Sequence, residues 1–166
     1  WGVTGTALMA ALLSEALQRW GAGNHFVITI PTFAASRASN EYSNVVGDFT
    51  STILLEVDGS GKNFTERSQA IQRQLWSDLP HSTFSGIHVA RAMARTTGST
   101  EANFPIVLTS LLGQPPRRYH TELGEEIYTS TQTPQVSLDV QVAELDGALT
   151  WSWDYRRSAY PKGLID

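Results

Sequence analysis

Hydrophobic residues follow two periods along this chain. Met9, Leu13 and Leu17 recur at helical spacing and Trp20 continues the stripe. Thr4 to Trp20 is therefore predicted to be an amphipathic helix, stopped by Gly21 and Gly23. Phe26 to Ile30 predicts a strand ended by Pro31, and residues 34–44 a polar loop. Phe49 to Val57 predicts a second strand, closed by Asp58-Gly59-Ser60-Gly61. A second helix runs from Phe64 to Trp76, with Ile71, Leu75 and Leu79 on one side. A third runs from Phe84 to Arg95, with Phe84, Ile87, Ala90 and Ala94 inward. Phe104 to Leu108 predicts a strand, and residues 113–128 a loop with short structure. No repeat and no linker divides the chain, so residues 1–166 form one α/β domain.

The C-terminal part alternates strictly. Val136, Leu138, Val140 and Val142 fall on one face of a strand, and Gln135, Ser137, Asp139 and Gln141 on the other. Asp146-Gly147, between two alternating runs, is a strong two-residue turn signal. If those two residues form the loop, Val142 faces Trp151, Val140 faces Trp153 and Leu138 faces Tyr155. Gln141 then opposes Ser152, and Asp139 opposes Asp154. A four-residue loop would keep the faces but place Asp139 opposite Ser152.

Composition narrows the function classes. The net charge of −4 and the lack of any Lys/Arg cluster argue against a nucleic-acid partner. The basic pairs Arg117-Arg118 and Arg156-Arg157 read as solvated surface. The absence of cysteine excludes a disulfide, a thiolate nucleophile and a cysteine metal site, and is compatible with a cytoplasmic location. No apolar run is long enough for a transmembrane helix, so no membrane partner is expected. The four histidines lack metal-ligand spacing, and no bound cofactor or metal is expected.

Asp139 sits among neutral hydrogen-bonding groups, an arrangement suited to a proton-transfer site. Across the hairpin, Asp154 would disfavour double ionisation of the pair. The alternative is two exposed acids splayed apart on a solvated strand. Asp48 follows a glycine at a strand start, where aspartate commonly binds nearby backbone. Asn63-Phe64-Thr65 fits a glycosylation acceptor pattern, but no secretion signal accompanies it.

Four ordered segments resemble one known family. "TSTQTPQVSLDVQV", with "GALTWSWD" after it, is similar to the last motif of the heterocyclization domains of nonribosomal peptide synthetases. Val45 to Ser51 resembles that family's "GDFT" motif, and Phe104 to Ser110 its "PVVFTS" motif. Thr4 to Trp20 resembles its alanine- and leucine-rich helix motif. The resemblance implies a chloramphenicol-acetyltransferase-like fold, an α/β sandwich with a mixed sheet. All the matched motifs belong to the C-terminal subdomain of such a domain, so the N-terminal subdomain is expected to be absent from this chain.

The activity so implied is amide formation, followed by cyclodehydration of cysteine, serine or threonine to a thiazoline or oxazoline. The substrates would ride on phosphopantetheine arms of upstream and downstream peptidyl carrier proteins. The missing lobe and a neighbouring adenylation domain would be further partners. Asp139 and Thr109 match the residues to which the family assigns cyclodehydration, and Gln141 matches a motif glutamine expected to support Asp139. Two segments depart from the family pattern: Val140 stands where histidine is usual, and Phe33-Ala34-Ala35-Ser36-Arg37 stands near an "LFNR" pattern. The alternatives are an ordinary amide-forming condensation domain and a non-catalytic lobe that docks carrier proteins.

Overall fold

A computed structural model describes residues 1–33, 45–60, 63–98, 104–114, 120–121, 124–125, 127–130 and 133–165. Its helices are α1 (Gly5–Arg19), α2 (Phe64–Asp78) and α3 (Gly86–Thr97). Its strands are β1 (His25–Thr32), β2 (Ser51–Asp58), β3 (Ile106–Ser110), β4 (His120–Thr121), β5 (Gly124–Glu125), β6 (Leu138–Leu145) and β7 (Ala148–Tyr155). Five strands form one sheet in the order β2-β1-β3-β6-β7, and β4 and β5 pair separately. β3 runs parallel to both β1 and β6, while the outer pairs are antiparallel. The sheet is mixed and carries helices, as the α/β expectation required. Residues 34–37, within the departing stretch after Phe33, and the pair Arg117-Arg118 lie outside the described residues.

One face of the sheet is the core. Ile28 and Ile30 of β1 share it with Ile53, Leu55 and Val57 of β2, Leu108 of β3, and Leu138, Val140 and Val142 of β6. α1 and α2 cover that face. Ala7, Ala10 and Ala11 are fully buried, and their small side chains let α1 lie close to the strands. Met9 and Leu13 are buried as their spacing predicts, but Trp20 caps the helix with 67% of its surface exposed. The two helices are tied together at their ends. The Thr4 backbone N–H donates to Gln72 Oε1 at 2.6 Å, and Arg67 pairs with Glu15. Among the described residues no helix is long and apolar enough to cross a membrane.

The starts or ends of β1 and β2 differ from the sequence expectation, while α2 starts where it was expected. β1 continues through Pro31 to Thr32, in register with Thr52 and Ser51 of β2. Its pairing with β3 lies at Thr29 opposite Val107, short of Pro31, so the missing N–H costs no bond on that side. β2 starts at Ser51 rather than Phe49 because Asp48 turns the chain first, its Oδ1 accepting from the Thr50 N–H at 2.9 Å. α2 begins at Phe64 because Asn63 caps it, accepting from the Glu66 N–H at 2.9 Å.

The inward face expected for the third helix is a correction. α3 crosses the other side of the sheet, against β2, and its only buried residue is Gly86. Phe84 and Ile87 are each 58% exposed. Amphipathic spacing reveals that an apolar face exists but not what covers it. Gly86 is where α3 meets the sheet: a Cβ there would lie 2.9 Å from Thr52 Oγ1 and 3.0 Å from Leu54 Cδ2. Gly86→Ala should therefore overpack this contact, costing about 1 kcal/mol and lowering the melting temperature by about 2–4 °C. A thermal melt with no downward shift would show that α3 can lift from β2 without cost.

Candidate active site

The second face of the sheet carries the polar side chains. Register places Val107 and Thr109 of β3 beside Asp139 and Gln141 of β6, and these beside Asp154 and Ser152 of β7. Two rows run across three strands: Val107, Asp139, Asp154 in one, and Thr109, Gln141, Ser152 in the next. All four sequence-predicted residues therefore share one face, opposite α1 and α2. Asp139 and Asp154 are direct cross-strand partners, with Cβ atoms about 4.5–5.5 Å apart. Thr109 is opposite Gln141, not Asp139. It is diagonal to the acid, with a Cα separation of roughly 8 Å from the strand spacing and rise.

The two-residue hairpin loop is as read from the sequence, and every pair it implied is present. Asp146 and Gly147 both have positive φ, 49° and 78°, which the tight turn requires. The lead-in to the strand differs from strict alternation. Thr133 to Val136 forms a turn, with the Val136 N–H donating to the Thr133 carbonyl at 3.2 Å. Ser137 and Leu138 then donate their N–H groups to the Pro105 carbonyl at 2.8 and 3.1 Å. The Ser137 hydroxyl also donates to that carbonyl at 3.2 Å and lies 3.0 Å from the Tyr160 hydroxyl. On the far side, the Arg156 N–H donates to the Ser137 carbonyl at 3.0 Å. These bonds fix the start of β6 from both sides just before Asp139.

Asp139 is only 8% exposed, so its carboxyl is buried rather than splayed into solvent. It lines a polar cavity of about 510 Å³ together with Asp154, Ser130, Thr133, Gln135 and Arg156. That volume suits a small substrate segment. Thr109 and Gln141 are half-buried in the neighbouring row and do not line this cavity. Sequence reasoning passed over Gln135 and Arg156 as cavity walls. The signal for Gln135 was Pro134, which favours the second position of a turn.

The other candidates separate from this site. Hydrogen bonds from the Thr50 hydroxyl and backbone N–H hold the fully exposed Asp48 carboxyl below its usual range. It is a turn-forming carboxylate, as its position after glycine suggested. His88 is exposed, contacts the Ser85 hydroxyl at 3.1 Å and stacks on Phe84. Among the described residues no cluster of His, Asp and Glu is arranged to hold a metal ion. Val140 points away from Asp139. It is fully buried in the core, opposite Trp153, so a valine there removes no polar group from the Asp139 face.

Comparisons with known proteins agree with this architecture. The chain is 36% identical over 170 residues to phenyloxazoline synthase MbtB of Mycobacterium tuberculosis (strain ATCC 25618 / H37Rv), a match covering 99% of this chain and 12% of that protein. It is similar to the solved nonribosomal peptide synthetase FmoA3 in its α-methyl-L-serine-AMP-bound form, with a TM-score of 0.88 and 38% identity. That match covers 99% of this chain and 19% of the other. The cyclization-docking bidomain of EpoB from Sorangium cellulosum gives a TM-score of 0.82 and 39% identity, over 99% of this chain and 34% of the other. The chain thus spans a small part of each relative's length. The family described as Condensation domain matches residues 1–166, from the first residue to the last, and the chain belongs to that family.

Proposed function

We propose that this chain is the C-terminal subdomain of a heterocyclization domain in a nonribosomal peptide synthetase. The observation that carries this reading is Asp139: a carboxyl 8% exposed, opposite a second carboxyl, in a polar cavity on the sheet face away from α1 and α2. Relatives named for phenyloxazoline synthesis and for cyclization support the reaction class.

The chemistry has two stages. A cysteine, serine or threonine amine attacks an acyl thioester on an upstream carrier, and the carrier thiol leaves. The side-chain thiol or hydroxyl then bonds to the new amide carbonyl carbon. The proton of that nucleophile and the amide N–H proton leave with the carbonyl oxygen as one water, and a C=N bond closes the ring. Ring closure needs a group that accepts a proton and returns it, and one carboxyl can do both. Asp139 takes that role. Asp154 is its cross-strand neighbour on the same face and lines the same cavity. Gln141 and Thr109 form the adjoining polar row, with Thr109 positioned to orient the amide or relay a proton.

The substrates would be held on phosphopantetheine arms, so no bound cofactor is required of this chain. Carrier proteins, a second lobe and an adenylation domain would be its partners, in a soluble cytoplasmic assembly. One lobe supplies only one wall of a site that lies between two. Residues 1–166 alone should therefore give no product with loaded carrier proteins, while the complete synthetase should give a product lighter by one water than the open amide. Mass spectrometry reads both outcomes. Turnover by the 166-residue chain alone would overturn the half-domain assignment, and a complete domain yielding only the open amide would favour ordinary condensation.

A further inference from the structure

Among the described residues two that are not glycine have positive φ, Asp146 and Gln135. Asp146 has a ready explanation in the hairpin turn, where aspartate is favoured. Gln135 has none of that kind. Its φ is 69°, and it occupies the third position of the Thr133–Val136 turn, after Pro134. That position favours glycine, and a long unbranched side chain there is strained. Glycine would relax the turn and leave the 3.2 Å Val136-to-Thr133 bond in place.

The strained residue also has its side chain at the site. Gln135 is exposed and lines the same cavity as Asp139 and Asp154. Among the described residues, nothing holds its amide in an internal hydrogen bond. The turn therefore spends backbone strain on presenting an amide to the cavity rather than on packing. Strain of this kind, at a residue over-determined by its neighbours, points to function. Here the neighbours are Pro134 before it and the Pro105 clamp on Ser137 and Leu138 after it.

We propose that Gln135 is a catalytic residue of ring closure, an inference that rests on the heterocyclization reading above. Its side-chain N–H donates a hydrogen bond to the carbonyl oxygen of the carrier-bound amide. As the hydroxyl or thiol bonds to the carbonyl carbon, the C=O π pair moves onto that oxygen. The nucleophile's proton passes to Asp139. Gln135 gives up no proton; it stabilises the negative oxygen until Asp139 returns the nucleophile's proton to it. The C–O bond then breaks as the amide N–H proton is also passed to that oxygen, which leaves as water while the nitrogen pair forms the C=N bond. A preorganised amide donor at a developing oxyanion is among the larger single contributions a site can make.

The test uses the complete synthetase with loaded carrier proteins. Gln135→Gly removes the amide and the strain, Gln135→Ala removes the amide and keeps the strain, and Gln135→Asn keeps an amide on a residue that tolerates positive φ better. Gln135→Gly should melt at or above the wild-type temperature, yet close rings on the order of 10²-fold more slowly, with open amide accumulating. Gln135→Ala should lose ring closure to a similar extent, and Gln135→Asn should retain more of it. Wild-type ring closure by Gln135→Gly would overturn the inference, because only a turn-forming role survives that change. Asp139→Asn, run in parallel, separates the two failures. If it loses ring closure while Gln135→Gly keeps it, only the Gln135 role is wrong; if it keeps ring closure, the site assignment fails and the inference with it.

Discussion

In the complete synthetase, Asp139→Asn should leave amide formation largely intact and slow ring closure by about 10²–10⁴-fold, the range for removing a positioned acid–base group. Asparagine keeps the shape of the side chain and its place between Val107 and Asp154. It cannot accept a proton from the nucleophile or return one to the departing oxygen. Amide formation makes a smaller demand, since the amine attacks a reactive thioester and a thiol leaves. The two steps should therefore separate, with an open product heavier by one water. Thr109→Ala should show the same pattern more weakly, about tenfold, because Thr109 sits one row away from the acid, opposite Gln141. A hydroxyl at that distance acts through substrate or water, and its loss removes about one hydrogen bond's worth of stabilisation. Mass spectrometry of carrier-bound products, with a melt to show that each variant is folded, measures the split. Equal loss of both steps in a folded Asp139→Asn protein would count against the proton-transfer role.

The site was partly legible in the sequence, and the reason differs from strand to strand. The β6–β7 pairing could be read residue by residue because Asp146-Gly147 fixes a two-residue turn, and the turn fixes every pair beyond it. That alone put Asp139 opposite Asp154. The β3–β6 pairing could not be read in the same way. Those strands are parallel, with no turn joining them, and their register comes from packing against the core through Leu108, Leu138 and Val140. Thr109 and Asp139 were joined by motif resemblance, and in the fold they are diagonal neighbours. The first two helices were legible from spacing because their apolar stripes meet the sheet. The third was read as inward-facing, and its Phe84 and Ile87 lie open because only Gly86 is buried on β2. Gln135 was missed because alternation was extended two residues too far toward the N-terminus, over a turn that Pro134 announces.

Val140 shows how face decides what a substitution means. Its place next to Asp139 in the sequence, where the resemblance leads one to expect histidine, suggested a lost polar site residue. In the fold it is fully buried in the core, under the helices and opposite Trp153. Val140→His should therefore damage the fold rather than improve the site. An imidazole is larger than valine, and overpacking costs about 1–3 kcal/mol. Its ring N–H would be buried among apolar groups, which costs about another 1–3 kcal/mol if unpaired. Together these predict a melting temperature lower by roughly 5–20 °C for a domain of this size. The loss should deepen in acid. Burial lowers the folded-state pKa of an imidazole, so the unfolded chain binds the extra proton first, and stability falls as pH drops below the unfolded value of about 6.5. In the fraction that remains folded, the ratio of ring to open amide should stay at the wild-type value. A Val140→His protein that melts with wild type, or closes rings faster, would place residue 140 on the Asp139 face and break the two-faced assignment of β6.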